Sequence, residues 1–229
     1  MEIGHRHPIT TLIEESAAIF SQLGFSFIEG PEVETERYNF DALNIPEHHP
    51  SRDMWDTFWL LPLSARTLLR THTSPVQIRH MEKNEPPLRI ISPGKVFRHE
   101  ATDATHEAQF FQIEGLMVDN EASLSTLKGI LEHYFRTILS PDIDIRFRPS
   151  FFPFVEPGVE IDIRFGGHWL EVMGAGMVHP KALQAVGIHP GKWRGFAFGG
   201  GIDRIAMLKY GIPDVRLLYS GDLRLVNQL

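Results

Sequence analysis

The stretch that most constrains the fold is residues 94 to 118, where side chains alternate in character on both sides of a polar loop. This pattern predicts two β-strands joined by a loop of Ala, Thr, Asp, His and Glu. The residues predicted to share one face are Val96, Arg98 and Glu100 in the first strand and Phe110, Gln112 and Glu114 in the second. That face presents a cation, hydrogen-bond acceptors and an aromatic ring together, which suits a nucleotide and a second polar substrate. A surface hairpin with a solvated charged face is the alternative.

The composition of the 229-residue chain limits the classes of protein to which it can belong. Hydrophobic residues make up 42%, which is enough to bury the core of one domain, and we expect a single domain over residues 1–229. The net charge of -7 argues against nucleic-acid binding by an overall positive field, so any RNA contact is expected to be local or shared. Because the chain has no cysteine, disulfides and Cys-based zinc sites are excluded.

Targeting and metal-binding patterns are also lacking in the sequence. No apolar run reaches the roughly 18 residues that a membrane-spanning helix requires. No secretory signal pattern is recognisable, so we expect a protein of the cytoplasm that does not contact membranes. The 12 histidines are scattered, and scattered histidines are more often ordinary surface residues than metal ligands.

Periodicity in the rest of the chain predicts helices that alternate with strands. The predicted elements are a helix after His7-Pro8 that ends at Gly24, a strand from Phe25 to Glu29, a short helix from Asn39 to Asn44, a helix from Leu124 to Ile138, a strand from Ile143 to Phe147, and a hairpin from Val159 to Val172 that turns at Gly166-Gly167. Alternating strands interleaved with helices indicate an α+β fold, in which helices flank a mainly antiparallel β-sheet.

Two segments have compositions that ordinary strands and loops do not explain. Residues 150–158 are too rich in proline for a central strand and too apolar for a free loop, so they must pack against or bind something. Residues 195–204 are typical of a strand that breaks into glycines and then opens a helix. Glycines let a ligand approach the backbone closely, and the start of a helix offers free N–H groups to a phosphate.

Several other residues have ordinary structural roles open to them. Ser74 is predicted to cap the helix that follows it. Trp55 and Trp59 stand beside acidic residues, and their composition alone favours core anchors over ligand contacts. Neither Gly174-Ala175-Gly176 nor Gly199-Gly200-Gly201 completes a dinucleotide-binding fingerprint, so that interpretation is set aside.

Residues 97–115, FRHEATDATHEAQFFQIEG, resemble motif 2 of the class II aminoacyl-tRNA synthetases and are close to the family of bacterial-type phenylalanyl-tRNA synthetase α chains. Residues 30–35 resemble motif 1 of class II, the dimerisation motif. Residues 195–204 resemble motif 3, with Arg204 at the position of its arginine. The resemblance covers essentially the whole chain, and it implies the class II catalytic fold.

The resemblance also implies an activity: ATP-dependent activation of phenylalanine to its adenylate, followed by transfer to tRNA(Phe). The implied ATP contacts are Arg98 on the α-phosphate, Arg204 on the γ-phosphate, Glu100 on the adenine amino group, Phe110 stacked on the base, and His106 from the loop. The implied amino-acid contacts are Trp55, His72, Ser74, Gln112, Glu114, Phe152, Phe154, Val155, Ala197 and Gly199. Arg98 and Arg204 would be the catalytic residues, and Glu156 a ligand of Mg²⁺.

A β subunit in an α2β2 assembly is the partner that the resemblance implies, and it would share the Mg²⁺ ion. Family α chains usually begin with a helical hairpin that contacts tRNA. No such segment precedes Met1, so we expect a catalytic core without that arm. The family more often has Glu at the position of Asp203 and a larger apolar residue at that of Gly200.

Two alternative functions remain open. A non-catalytic class II-like module would bind an amino acid or nucleotide without charging tRNA, and loss of a motif arginine would favour it, although both arginines are present. A ligase for a different amino acid would be favoured by a charged or polar residue at the position of Phe152, Phe154 or Ala197.

Overall fold

The computed structural model describes residues 4–53 and 56–229. Its larger sheet contains β1 (Ser26–Phe27), β4 (Leu88–Phe97), β5 (Gln109–Asp119), β6 (Ile145–Phe152), β7 (Val155–Phe165), β8 (His168–Val178) and β9 (Arg194–Gly201). These strands lie in the order β1-β4-β5-β9-β8-β7-β6. Only the β1–β4 pairing within this sheet is parallel. A small antiparallel sheet pairs β2 (Val33–Thr35) with β3 (Thr67–Leu69).

Helices cover the sheet. They are α1 (Pro8–Gln22), α2 (Glu36–Asn39), α3 (Ser74–Met81), α4 (Leu124–Ile138), α5 (Pro180–Ala185), α6 (Ile202–Tyr210) and α7 (Leu223–Val226). The main core lies between α1, α4 and one face of the sheet, where the Phe20 ring stacks on Tyr134 at 4.7 Å and on Phe198 at 5.2 Å between centroids. In the ranges described, no helix is long and apolar enough to cross a bilayer. The predicted α+β class, with a mainly antiparallel sheet flanked by helices, is confirmed.

The two long helices begin and end as the sequence predicts. α1 starts at Pro8, and the His7 ring accepts a hydrogen bond from the Ile9 N–H at 3.3 Å. Gly24, which follows the helix, has φ of 81°, a conformation that glycine adopts without strain. In α4, the Ser123 hydroxyl accepts from the Thr126 N–H at 3.1 Å. Local capping chemistry therefore fixes both helices against the sheet.

The predicted central hairpin is confirmed, but its first strand is shorter than alternation suggests. β4 and β5 pair from Leu88 opposite Val118 to Phe97 opposite Gln109. Arg98 then follows the strand rather than continuing it. The strand ends there because the Glu100 N–H donates to the Arg98 carbonyl at 2.9 Å, which folds the chain back on itself. Arg98 and Glu100 therefore lie beyond the end of β4 rather than within it, although the Arg98 N–H still donates to the Ala108 carbonyl at 2.9 Å and both residues line one cavity with Phe110, Gln112 and Glu114, as predicted.

Residues 150–158, predicted to pack against or bind something, lie in the hairpin of β6 and β7, where shifts in register near Ser150 and Pro157 accommodate the prolines. Two other local predictions need correction. The strand predicted from Phe25 to Glu29 contains only two paired residues. The helix predicted from Asn39 is a 3-10 turn at Asp41–Leu43, and it ends at Asn44 with φ of 58°.

Candidate active site

A cavity of about 620 Å³ lies on the sheet face opposite α1 and α4. Predicted site residues that line it are His72, Ser74, Arg98, Glu100, His106, Phe110, Gln112, Glu114, Phe152, Phe154, Val155, Ala197, Gly199 and Arg204. Trp55 lies outside the described residues. Glu156 does not line the cavity: its side chain is 78% exposed, and its carboxylate lies 3.5 Å from the His179 ring. The structure thus brings together residues that are far apart in the sequence.

Strand register arranges the cavity floor in rows. Gln112 lies opposite Gly201. In the next row, Glu114 lies opposite Gly199, which in turn lies opposite Gly174. In the row beyond, Leu116 lies opposite Ala197, and Ala197 lies opposite Gly176. Because alternate residues of a strand share a face, the floor carries polar side chains at one end, glycines in the middle and apolar side chains at the other end.

Glu114 is a buried polar residue of the cavity floor, with only 5% of its surface exposed. Its Oε1 accepts the Thr73 N–H at 2.9 Å, and its Oε2 accepts from the Ser74 hydroxyl and from Gln77 Nε2 at 3.2 Å. Burial raises the pKa of this carboxyl, while the bonds from Ser74 and Thr73 oppose the rise. These donors hold the carboxylate in one orientation, suitable for a cationic ligand group.

The predicted capping role of Ser74 is wrong. The N-cap residue of α3 is Thr73, which makes no side-chain capping bond, and Ser74 is already helical. Its hydroxyl donates instead to Glu114. A buried carboxylate requires donors more than the helix N–H groups require a weak acceptor, and this explains the difference.

His72 and Gln112 offer unused hydrogen-bonding atoms to the cavity. Within the part of the chain that the structure describes, Gln112 Oε1 has no hydrogen-bond partner, and neither ring nitrogen of His72 makes a hydrogen bond of ordinary geometry, although the Asn39 backbone is near enough to oppose the lowering of its pKa; all three atoms are buried. Burial, and then the charge of nearby Arg98, lower the pKa of His72 to about 3, so its ring is neutral near pH 7. Buried polar atoms of this kind require a partner, and a bound ligand can supply one.

Arg98 is held in place from two sides. Its Nε donates to the Thr71 carbonyl at 3.1 Å, and its guanidinium carbon lies 5.1 Å from the centroid of the Phe110 ring. Burial lowers its pKa, whereas Glu100 and Glu114 oppose that shift. Arginine nevertheless stays charged in proteins. Arg98 Nη1 lies 4.0 Å from Glu100 Oε1, an ion pair too long for a hydrogen bond, so this fixed cation can still donate to an anionic ligand.

Arg204 supplies a second cation to the same cavity. It stands in the first turn of α6, directly after the glycines of β9, and its Nη1 donates to the Glu171 carbonyl at 3.1 Å. Its charge contributes to lowering the pKa of Arg98. Because the two positively charged guanidinium groups repel each other, a polyanion bound between them would be strongly favoured.

The loop after β4 carries His106 on a compact turn. The Asp103 carboxylate accepts the N–H groups of Thr105 at 2.7 Å and His106 at 2.9 Å, and lies 3.0 Å from His106 Nδ1. These bonds, led by that of the Thr105 N–H, lower the pKa of Asp103. The turn fixes one side of the imidazole and leaves Nε2 for another partner.

Phe152 and Phe154 form an aromatic wall at the apolar end of the cavity. Their rings stack at 5.9 Å between centroids with an interplanar angle of 22°. Gly174 lies beneath them, and a Cβ there would be 2.9 Å from the Phe152 ring. The glycine pattern that fits no dinucleotide fingerprint thus has a spatial role, because it makes room for the aromatic wall.

Comparison with known proteins matches this arrangement to a family. Residues 1–229 match the family model described as the tRNA synthetases class II core domain (F). The chain is 51% identical to the phenylalanine–tRNA ligase α subunit of Dehalococcoides mccartyi, over 99% of this chain and 70% of that protein. The chain belongs to the phenylalanine–tRNA ligase α-subunit family of class II synthetases. The predicted family is thereby confirmed.

Further members of the family are similarly close. The α subunit of Bacillus subtilis is 51% identical, over 99% of this chain and 69% of that protein. The α subunit of Desulfotalea psychrophila is 53% identical, over 98% of this chain and 69% of that protein. The match is therefore not confined to the motifs: it includes the core helices and both edges of the sheet.

Gly200, where the resemblance implies a larger apolar residue, is closely packed against the neighbouring strand. A Cβ at Gly200 would lie 2.3 Å from the Val172 carbonyl oxygen of the neighbouring strand. A larger residue would therefore push β8 and β9 apart in this chain. Because both strands form the cavity floor, glycine at this position preserves their close pairing.

Sequence reasoning missed two buried polar residues. Gln77 lies one turn after Ser74 on α3 and donates to the same carboxylate, a relationship that the i, i+3 spacing could have indicated. Arg70, 3% exposed, donates to the carbonyls of Lys95 at 2.7 Å and Gly30 at 3.0 Å, and so ties motif 1 to motif 2. The sequence feature that could have indicated this buried arginine is Gly94, because a Cβ there would lie 2.1 Å from the Arg70 side chain.

Proposed function

We propose that this chain activates phenylalanine with ATP and transfers it to tRNA(Phe), as the catalytic α chain of a phenylalanine–tRNA ligase. The observation that carries the proposal is the convergence, in one cavity, of the Glu114 carboxylate, the cations Arg98 and Arg204, and an aromatic wall. These groups match the ammonium, the phosphates and the phenyl ring of the two substrates. The names of the relatives support the same reaction.

Phenylalanine would bind across the rows of the floor. Glu114 accepts its ammonium group, with Ser74 and Gln112 beside it, and His72 offers a neutral ring nitrogen. The phenyl ring enters the apolar end against Phe152 and Phe154, whose faces and edges suit another aromatic ring. Val155, Ala197 and Gly199 would shape this end, and we assign them to the amino-acid site together with Trp55.

ATP would lie at the polar end. Phe110 stacks on the adenine, and Glu100 accepts a hydrogen bond from its amino group. Arg98 contacts the α-phosphate, while Arg204 and His106 contact the phosphates beyond it. The cation–ring contact between Arg98 and Phe110 supports this arrangement, because a base on Phe110 and a phosphate on Arg98 would then lie on adjoining side chains.

The chemistry then depends on position and charge. A carboxylate oxygen of phenylalanine bonds to the α-phosphorus, the bond from that phosphorus to the bridging oxygen breaks, and pyrophosphate leaves. Arg98 and Arg204 stabilise the charge that develops on the phosphates. In the second step a ribose hydroxyl of the tRNA attacks the carbonyl carbon, and AMP leaves. Holding both reactants in one geometry removes most of the entropic barrier.

Mg²⁺ is part of the proposal as the usual companion of ATP. Glu156 would contribute one carboxylate, but the His179 ring is the only ionisable group within 4 Å of it among the described residues, and no group of three or more metal-binding side chains occurs in the same ranges. The residues of this chain alone do not fit a metal site. No step is therefore assigned to Mg²⁺.

We assign the partners from the family. A β subunit in an α2β2 assembly would complete the enzyme, and tRNA would contact a local surface, since the net charge is -7. A role in translation supports a cytoplasmic location. We also propose that residues 1–229 form a single domain. The chain without its β subunit should exchange pyrophosphate poorly and associate weakly with itself. Full activity of a lone chain, verified free of β subunit, would contradict this partnership.

Isotope exchange between pyrophosphate and ATP tests the proposed reaction. With the β subunit present, phenylalanine should support exchange far better than any of the other nineteen amino acids. A non-catalytic module would bind phenylalanine or ATP without exchange, and a ligase of another specificity would respond to a different amino acid. Either result would overturn the proposal.

A further inference from the structure

Residues 214–219, which we name the C-terminal strut, attach to two elements of the cavity. The Val215 N–H donates to the carbonyl of Ala104, in the loop after β4, at 2.9 Å. The Tyr219 hydroxyl donates to Asp203 Oδ1, in the first turn of α6. The strut is itself fastened to the start of α1, because His7 Nε2 lies 2.8 Å from the Leu218 carbonyl. The strut therefore connects the loop after β4, the start of α6 and the start of α1.

Asp203 extends the contact into the central hairpin. It is 3% exposed, and its Oδ2 accepts the Phe111 N–H at 2.8 Å. The β5–β9 ladder ends where Gln112 lies opposite Gly201, so this carboxylate takes the place of the next backbone partner. One side chain thus continues the pairing of β5 after β9 has turned into α6.

Each attachment stands beside a residue that we assign to ATP. Asp203 precedes Arg204, Phe111 follows Phe110, and Ala104 comes two residues before His106. Val215 itself forms part of the cavity wall. A single short segment therefore sets the relative positions of three ATP contacts that come from different parts of the chain.

We propose that Tyr219 is a positioning residue of the ATP site, which acts through Asp203 on Arg204 and Phe110. This inference rests on the proposed function. The Asp203 carboxyl has two donors, the Tyr219 hydroxyl and the Phe111 N–H, in a buried setting that raises its pKa. If the hydroxyl is removed, the buried carboxylate loses one of the donors that hold it, and it is then less firmly fixed to the Phe111 N–H. The positions of Phe110 and Arg204 relative to each other would then be less firmly fixed.

Tyr219→Phe removes only the hydroxyl and keeps the ring. In the complex with the β subunit, we expect the KM for ATP in pyrophosphate exchange to rise at least roughly fivefold, the loss typical of one net hydrogen bond. The KM for phenylalanine should change by less than about twofold, because Glu114 has its own donors. Asp203→Asn should act in the same direction, and the double variant should be no worse than Asp203→Asn alone, since the two residues act as a unit.

Val215→Pro tests the other attachment, because proline fits the first position of a helical turn and lacks the N–H that holds Ala104. It also replaces a buried side chain of the cavity wall, and Val215→Ala, which keeps the N–H, measures that second effect. Tyr210→Phe is the matched control. Tyr210 is the last residue of α6, the helix that carries Asp203. Its hydroxyl makes no hydrogen bond in the described ranges, and it does not line the cavity. Its kinetics should equal those of the unmodified chain. An equal rise of both KM values in Tyr219→Phe, or no change in a folded protein, would overturn the inference.

Calorimetric titration with ATP separates this inference from the proposed function. If the unmodified complex binds ATP without catalysing exchange, the proposed reaction is wrong, and the Kd for ATP in the variants still decides the role of the strut. We expect Tyr219→Phe and Val215→Pro to weaken ATP binding at least roughly fivefold. An unmodified complex that fails to bind ATP would refute both proposals, whereas equal Kd values in all variants would refute the strut alone.

Discussion

Glu114 and Gly199 lie opposite each other on β5 and β9, and a Cβ on Gly199 would lie 2.6 Å from the Cγ of Glu114. A Cβ essentially never lies so close to a non-bonded atom, so a side chain at this position would displace the carboxylate. The glycine therefore leaves the carboxylate where Thr73, Ser74 and Gln77 hold it. If this carboxylate binds the substrate ammonium, the pair controls access to it.

Gly199→Ala tests that relationship. The added methyl should push Glu114 off its donors and raise the KM for phenylalanine at least tenfold, which corresponds to about 1.4 kcal/mol. The KM for ATP should change much less. Gly129→Ala is the control, since that residue lies on the exposed face of α4 with no atom within 4 Å of an added Cβ. An unchanged KM for phenylalanine in Gly199→Ala would place the ammonium elsewhere.

Arg98→Ala should reduce adenylate formation by at least the roughly hundredfold typical of one lost electrostatic contact in a transition state. The side chain lies at the cavity rather than in the core, so the fold should persist, as circular dichroism can verify. Arg224→Ala, whose side chain is 85% exposed and pairs with Asp222, should keep full exchange activity. Near-normal exchange in folded Arg98→Ala would sink the assignment to the α-phosphate.

Ala197→Gly tests the depth of the aromatic end. Ala197 is 9% exposed and lies between Leu116 and Gly176, in the row at the apolar end of the cavity floor. A close-packed site rejects added volume, so removal of the methyl should admit para-chloro-phenylalanine. The loss of one methyl contact should be about 0.8 kcal/mol, and phenylalanine should remain a substrate.

The measurement for Ala197→Gly is exchange with each of the two amino acids, in the complex with the β subunit. The ratio of kcat/KM for the chlorinated amino acid to that for phenylalanine should rise. If Ala197 is small only because the neighbouring strands pack there, the variant will be less stable and the ratio will stay the same. That result would remove Ala197 from the pocket.

His72 should make the stability of the protein depend on pH. Its pKa is about 3 in the folded chain and near 6.5 when unfolded, so the unfolded chain takes up a proton first as the pH falls. This contribution to stability is full above about pH 6.5 and decreases toward pH 3, by up to about 1.4 kcal/mol per pH unit. His72→Asn should flatten the dependence between pH 7 and pH 5 in urea unfolding. Exposed His48→Asn is the control, and equal slopes in all three proteins would contradict the burial of His72.

The elements with strong periodicity could be predicted from the sequence, and the reasons are local. α1, α4 and the β4–β5 hairpin each carry their own pattern of burial and their own end signals. The last residues of β4 could not be predicted, because alternation continues through Arg98 while the backbone turns. Only the hydrogen bond from Glu100 to Arg98 ends the strand, and no side-chain pattern reports it.

The cavity was predictable where a residue type is unusual for its position, as with the charged face of the hairpin. It was not predictable where a polar residue has an ordinary surface alternative. Ser74 has the sequence signature of a helix cap, and only the approach of Glu114 from another strand changes its partner. Arg70 likewise depends on the path of the motif 1 segment, which sequence spacing does not encode.

A crystal structure of the α–β complex with a non-hydrolysable phenylalanyl-adenylate analogue tests the central claim most directly. The ammonium group should lie within hydrogen-bonding distance of Glu114, the phosphate mimic beside Arg98, and the phenyl ring against Phe152 and Phe154 above Gly174. An analogue bound outside this cavity, or bound within it with its ring at the Arg204 end, would contradict the account.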